Sequence, residues 1–138
     1  MKRSNELRDL CVALSEAHSS ADVSFIERHV SGQEGVLSIG SDPNEWIEGE
    51  QVMEAFRQVL RKDDDFRNAP SEGDFVEELD VFVEGTVGWA SSRFRWTSKD
   101  GREIPIRWTA VFHREDGEWK LVQAHSSVGV PSEEIFGE

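Results

Sequence analysis

The stretch VFHREDGEWKLVQAHSSVGVP, residues 111–131, has the pattern of two β-strands joined at Asp116-Gly117. An Asp-Gly pair between alternating apolar and polar residues favours a two-residue hairpin turn, because both positions of that turn need a positive φ. The second strand carries His125 and two serines near its end. The register of this hairpin therefore decides whether His125 faces the interior or the surface.

Two registers are open for this hairpin. With Asp116-Gly117 as a two-residue turn, Trp108 lies opposite His125, and the residues that line the interior are Trp119, Leu121, Gln123, His125 and Ser127. With Glu115 added to the turn the faces exchange, and the inward residues are Val122, Ala124 and Ser126. We favour the first register because bulky Trp119 and Leu121 suit an interior, although a β-bulge would reverse the faces.

Four strands are predicted, over residues 75–84, 86–96, 103–113 and 119–128, because apolar and polar residues alternate between turn signals. Alternation puts one mostly apolar set of side chains inside: Leu79, Val81, Val83, Gly88, Ala90, Ser92, Phe94, Trp96, Ile104, Ile106, Trp108, Ala110 and Phe112. The opposite face carries Glu78, Asp80, Trp89, Arg93, Arg95 and Arg107. Acids and arginines on that face can pair across strands.

The part of the chain before these strands has helical spacing. Apolar residues recur at helical intervals in residues 4–20, with Ser4 as the N-cap, and helices are also predicted over residues 21–30 and 50–62. Residues 35–43 predict a short strand, and the polar residues 62–74 predict a solvated loop. Helices followed by an antiparallel meander predict an α+β fold, in which the helices pack in the concave face of a curved sheet.

Three stretches carry a family resemblance: IGSDPNEWIEG at residues 39–49, VEGTVGWASS at 83–92 and TAVFHREDGEWKLVQAHSSVGVP at 109–131. They resemble the SnoaL-like branch of the nuclear-transport-factor-2-like superfamily, which also holds ketosteroid isomerases and the association domain of a calmodulin-dependent kinase. The resemblance implies one SnoaL-like domain over residues 1–138, with a cone-shaped cystatin-like fold, a central pocket and a homodimer. It implies no particular reaction, because this fold hosts enzymes, carriers and assembly modules.

Composition excludes several classes of protein. The formal charge of −13 opposes binding to nucleic acid or to an anionic membrane, since such binding needs clustered Lys and Arg. No apolar run is long enough for a membrane helix or a signal peptide, so we expect a cytoplasmic protein. Cys11 is the one cysteine and is interpreted as a small buried hydrophobe. No metal-ligand spacing occurs among the histidines, and we expect neither metal nor cofactor.

The pocket chemistry departs from that of ketosteroid isomerase, where an Asp base works with an oxyanion hole made of a Tyr and a protonated Asp. This chain has no Tyr. His125 could serve as a general base, since an imidazole titrates near neutral pH. A histidine at a half-buried strand position is, however, more often held by a hydrogen bond than used in catalysis, and His125 could contribute a hydrogen bond to a ligand without any reaction.

Three functions follow from these residues. The first is a homodimeric binding protein for a small apolar organic ligand, with ligand-binding residues Trp46, Phe94, Trp108, Phe112, Leu121 and Gln123 beside His125. Trp46 serves there as a lid over the pocket or packs its connection onto the sheet. The second is a cofactor-free isomerase, cyclase or hydrolase that acts on a polyketide-, steroid- or terpenoid-like substrate, with His125 as catalytic base. The third is an assembly domain with an incidental cavity. The absence of a second acid or phenol favours the binding protein.

Overall fold

The structure is a computed structural model, and it describes residues 1–62, 72–98 and 100–137. Its helices are α1 (Asn5–Ser19), α2 (Val23–His29), α3 (Gln51–Lys62), α4 (Glu72–Glu77) and α5 (Ser132–Phe136). Its strands are β1 (Lys2–Arg3), β2 (Leu37–Ile39), β3 (Trp46–Glu48), β4 (Asp80–Glu84), β5 (Val87–Thr97), β6 (Glu103–Glu115) and β7 (Glu118–Ser127). The α+β class is therefore confirmed. No described helix is long and apolar enough to cross a membrane, and the cytoplasmic location stays a prediction.

Helix α1 begins where the sequence predicts. The Ser4 hydroxyl accepts a hydrogen bond from the Leu7 backbone N–H at 3.1 Å, which satisfies one of the free donors of the first turn. Leu7, Cys11 and Ala17 are the buried residues of this helix. Helix α2 has an N-cap of the same kind, in which Asp22 Oδ1 accepts a hydrogen bond from the backbone N–H of Phe25.

The strands form one seven-stranded sheet in the order β1-β4-β5-β6-β7-β2-β3, and helices α1 to α4 pack against it. All neighbouring strands are antiparallel except β2 and β7, which are parallel. The predicted alternation holds in β4, β5 and β6, where the inward positions are the more buried ones. The inward set predicted for these strands is therefore confirmed, and Arg107 is exposed on the outer face.

The predicted strand over residues 75–84 is wrong in its first half, because residues up to Glu77 form α4. Arg8 of α1 donates hydrogen bonds to the carbonyl oxygens of Val76 and Leu79, at the end of this helix. The carbonyl groups at the end of this helix thus accept hydrogen bonds from a side chain that is distant in sequence. The local alternation of apolar and polar residues cannot predict such an interaction. Of the predicted loop over residues 62–74, residues 63–71 lie outside the described part, while Glu72 to Asp74 belong to α4.

The last hairpin has the predicted two-residue turn. Glu115 pairs with Glu118, and Asp116 and Gly117 both have a positive φ, of 51° and 81°. Trp119 and Leu121 are buried, as this register requires.

A β-bulge then changes the register of β6 and β7. Phe112 pairs with Leu121, but the preceding residue Val111 pairs with Gln123, so that Val122 is an extra residue on β7. On the side away from β6, the bulge lies at the point where the segment paired with β7 changes from residues 30–31 to β2. The Leu121 carbonyl accepts a hydrogen bond from the Ser31 N–H at 2.9 Å, whereas Gln123 to His125 pair with β2. An inserted residue turns every later side chain to the opposite face.

Candidate functional site

A cavity of about 420 Å³ lies between the inner face of the sheet and the helices α1, α2 and α3. Its position follows from a row of small residues across the sheet, in which Ala90, Ala110 and Ala124 pair in register and Ser38 continues the row. Small side chains leave space between sheet and helices, and Ala124 and Ser38 line that space.

The cavity closes at the next row, where Gly88 pairs with Phe112 and Phe112 with Leu121. Leu7 of α1 packs directly on Gly88, so closely that a Cβ at residue 88 would clash with the Leu7 side chain. Leu7 and Phe112 are both fully buried, and the space between α1 and the sheet is filled there.

Helix α1 supplies one wall of the cavity. Cys11, Leu14, Ser15 and His18 have the spacing of a single helix face, and all four line the cavity together with Ser19. This face is apolar at Cys11 and Leu14 and polar from Ser15 onward. The helix therefore presents both an apolar and a polar surface to an occupant.

An aromatic wall stands on the β5–β6 side of the cavity. Phe75 of α4 contacts Phe94 and Trp108 in edge-to-face geometry, with ring centroids 5.7 and 5.1 Å apart. All three rings line the cavity, and Trp96 extends the wall along β5. Aromatic rings in this arrangement form a stable, largely fixed apolar surface.

Three ionisable residues line the cavity in the described part of the chain: Cys11, His18 and Glu45. Burial raises the pKa of the Cys11 thiol to about 12, so this cysteine is an uncharged thiol and not a nucleophile at neutral pH. Burial lowers the pKa of His18, which favours the neutral imidazole. Glu45 is exposed, and its Oε1 accepts a hydrogen bond from the Asp42 N–H at 2.9 Å.

Of the residues predicted to bind a ligand, Phe94, Trp108 and Leu121 line the cavity. Phe112 does not line it, because its ring is fully buried in the row beneath. Trp46 is 60 % exposed, and its indole Nε1 donates a hydrogen bond to Glu48 Oε1 at 3.0 Å. Its neighbour Ile47 lines the cavity instead, since successive residues of a strand face opposite sides.

The predicted placement of His125 and Gln123 on the inner wall is wrong. The bulge puts both residues on the outer face, where they are exposed, and pairs Trp108 with Ser126 instead of His125. His125 lies opposite Thr109 and beside Ile39 of β2. Ala124 and Ser126 face inward, which is the arrangement expected for the alternative register, although the turn is the two-residue one.

Three further lining residues were not predicted from the sequence: His18, Ser15 and Ser38. The helical spacing from Cys11 to His18 contained the signal for two of them, because a residue seven positions after Cys11 lies on the same face. Ser38 has no comparable local signal, since its side is fixed by pairing with β7.

Comparison with known proteins gives the family and the fold. The family model of the SnoaL-like domain matches residues 7–131, which is most of the chain. No curated protein matches the sequence significantly.

Solved structures with a similar fold include an NTF2-like protein of unknown function from Pseudomonas putida KT2440. It is 15 % identical, with a TM-score of 0.75, over 96 % of this chain and 94 % of that one. An uncharacterized protein with a cystatin-like fold from Caulobacter vibrioides is 13 % identical, with a TM-score of 0.69, over 95 % and 92 %. A putative calcium/calmodulin dependent protein kinase II association domain from Xanthomonas campestris is 16 % identical, with a TM-score of 0.63, over 94 % and 89 %. At these identities the likeness concerns the fold alone.

Proposed function

We propose, from the premise that this chain belongs to the SnoaL-like domain family, that it binds a small apolar organic molecule in the cavity between α1 and the sheet. The observation that carries the proposal is the cavity itself, which is enclosed by helices on one side and by an aromatic wall on the other. Small-molecule sites are concave and mostly apolar, and they hold a few placed polar groups.

Size and composition support this proposal. A volume of about 420 Å³ falls within the range of roughly 300–1,000 Å³ that is usual for ligand sites. Phe75, Phe94 and Trp108 supply apolar area, and each square ångström removed from water contributes about 25 cal/mol. Burial of apolar surface is therefore the main source of affinity.

The neutral fluorophore N-phenylnaphthylamine tests the proposal. Its fluorescence should rise on binding to the wild-type protein, and Ala124→Leu should raise its Kd at least about tenfold because the new side chain fills the cavity. Gln123→Leu is the matched control, since residue 123 is the adjacent outward-facing position on the same strand. Equal binding by the two variants, or no binding by the wild type, would contradict the proposal.

A proton-transfer enzyme is the second function considered from the sequence, and it requires a base in the cavity. His125 lies on the outer face, so we assign it no role in binding or catalysis. His18 is the one imidazole among the described lining residues, and its lowered pKa keeps it in the form that accepts a proton. A reaction in this cavity would use His18 as its base.

We also propose that two copies of the chain associate through the outer face of the sheet. One row on that face runs from Phe82 to Trp89, Val111, Gln123 and Leu37 on adjacent strands. The four apolar members of the row are only partly buried in the single chain. Phe82, Trp89 and Val111 are adjacent and form an apolar patch, and such a patch is usually covered by another protein surface.

A further inference from the structure

Hydroxyl groups gather on the helix wall and on the sheet wall of the cavity. Ser15 lies on α1, Ser38 on β2 and Ser126 on β7, and all three line the space. Within the described residues, none of these hydroxyls forms a side-chain hydrogen bond. Ser92 behaves differently, because its buried hydroxyl donates to the Phe75 carbonyl at 2.8 Å. The three cavity serines thus keep their hydrogen-bonding capacity for an occupant.

The two sheet serines are diagonal neighbours on the inner face, beside the aromatic wall. Ser126 is opposite Trp108, and Ser38 is beside Ala124, which is two positions from Ser126 on the same face. Residues two apart on a strand point to the same side. An occupant in contact with the Trp108 ring is therefore within reach of both hydroxyls.

Positive charge is missing from the lining. Among the lining residues that the structure describes there is no lysine or arginine, while the rim carries the exposed carboxylate of Glu45. The Cys11 thiol and the His18 imidazole are uncharged at neutral pH, since burial moves both pKa values in the direction that favours the neutral form. An anionic ligand would leave water without a counter-charge, which costs far more than one hydrogen bond returns.

The opposite wall has a different chemistry. Phe75, Phe94 and Trp108 present ring faces and edges and offer apolar contact to the occupant. A ligand that satisfies both walls is apolar at one end and carries an oxygen at the other.

We infer that the cavity selects uncharged molecules whose ring-bearing apolar body lies on the aromatic wall and whose carbonyl or hydroxyl oxygen bonds to Ser126 and Ser38. This inference rests on the proposed function and names the class of ligand for the same site. Ser126 and Ser38 are its specificity-determining residues, and the described lining offers a carboxylate no counter-charge.

Two probes of the same shape separate the roles of the two walls. Acetylnaphthalene carries a carbonyl oxygen, and its hydrocarbon analogue ethylnaphthalene does not. Affinities are measured by displacement of bound N-phenylnaphthylamine at neutral pH. For each probe, the affinity of each variant is compared with that of the wild type, because the hydration free energy of the probe cancels from this ratio. The paired variant Ser38→Ala/Ser126→Ala should weaken the binding of acetylnaphthalene about five- to a hundredfold, the effect of losing two hydrogen bonds. It should leave the binding of ethylnaphthalene unchanged.

Ser127→Ala is the matched control, because Ser127 lies one position along β7 on the outer face, where its hydroxyl accepts a hydrogen bond from Arg107 Nε. This variant should change neither the affinity for acetylnaphthalene nor the affinity for ethylnaphthalene. Naphthoate, the carboxylate of the same shape, should bind at least tenfold more weakly than acetylnaphthalene. Equal losses for both probes in the paired variant, or tight binding of naphthoate, would overturn the inference while the apolar binding site stands. Failure of ethylnaphthalene to bind the wild-type protein would overturn both this inference and the proposed function.

Discussion

Trp108 and Ser126 are directly opposed on β6 and β7, so that an indole ring and a hydroxyl group share one position on the cavity wall. On the same two strands, the next inward positions are held by the small residues Ala110 and Ala124. The sheet therefore offers a ligand a recess bordered by one aromatic and one polar group. Binding at Ser126 should also change the fluorescence of Trp108, which gives a signal that needs no added label.

The contact between Leu7 and Gly88 predicts a loss of stability in Gly88→Ala. An added methyl group would clash with the fully buried Leu7 side chain, and overpacking of this kind costs about 1–3 kcal/mol. Gly129→Ala is the control, because its Cβ would lie 3.9 Å from the Arg107 guanidinium, an ordinary contact. Unfolding in urea measures the free energy of unfolding of both variants. An unchanged value for Gly88→Ala would show that Leu7 has room to move.

The outer apolar row predicts a homodimer that a charge disrupts. Trp89→Glu places a carboxylate between Phe82 and Val111 in the middle of the row, and burial of an unpaired charge is strongly unfavourable. Light scattering should give twice the chain mass of 15.7 kDa for the wild type and the single mass for Trp89→Glu. Glu16→Lys, on the exposed side of α1, should remain dimeric. A wild-type monomer at micromolar concentration would refute the interface.

His18 predicts a loss of stability on acidification. Because burial lowers its pKa from 6.5 in the folded state, the unfolded chain binds a proton that the folded chain does not. The free energy of unfolding should therefore fall as the pH falls below about 6.5, by at most about 1.4 kcal/mol per pH unit for this group. The fall ends once the pH drops below the folded pKa.

Urea unfolding of His18→Gln and of the wild type at several pH values measures this contribution as the difference between the two curves. The variant should lose less stability than the wild type between neutral and mildly acidic pH. His125→Gln, at an exposed position on the outer face, should follow the wild type. Parallel curves for His18→Gln and the wild type would remove the argument for a buried neutral imidazole.

Cys11 should resist alkylation in the folded protein. Its side chain is buried and its pKa is raised to about 12, so little of the reactive thiolate forms at pH 8 in the folded protein. Iodoacetamide should modify the native protein at least a hundred times more slowly than the urea-unfolded protein, as followed by mass spectrometry. Similar rates in both states would contradict the raised pKa of Cys11 in the folded protein.

Much of the fold follows from local patterns. The Ser4 cap, the α1 spacing and the alternation of β5 and β6 are set by residues close in sequence, and all were predicted. Helix α4 was missed because Arg8, far away in the sequence, binds the carbonyl oxygens at its end. Strands β1 and β3 span two and three residues, which is too short for any periodic signal.

The site was only partly predictable for the same physical reason. Phe94 and Trp108 were found because strand alternation reaches them without interruption from the turns. Ser126 was predicted to face inward only in the register that was not favoured, because the bulge at Val122 depends on the point at which β7 leaves Ser31 and takes β2 as its neighbour. No residue near the turn signals that change.

The extra residue Val122 has an evolutionary consequence. If β7 paired without the bulge and kept Val122, that residue would lie opposite Val111, His125 would lie opposite Trp108 and Ser126 would turn outward. Removal of Val122 itself would leave Ser126 opposite Trp108, because Gln123 would then follow Leu121 directly and still pair with Val111. A shift of the bulge, and not its deletion, is therefore the change that exchanges a hydroxyl for a titratable imidazole on the inner wall. Homologues that share their wall residues can thus differ in chemistry when one keeps this bulge and another does not.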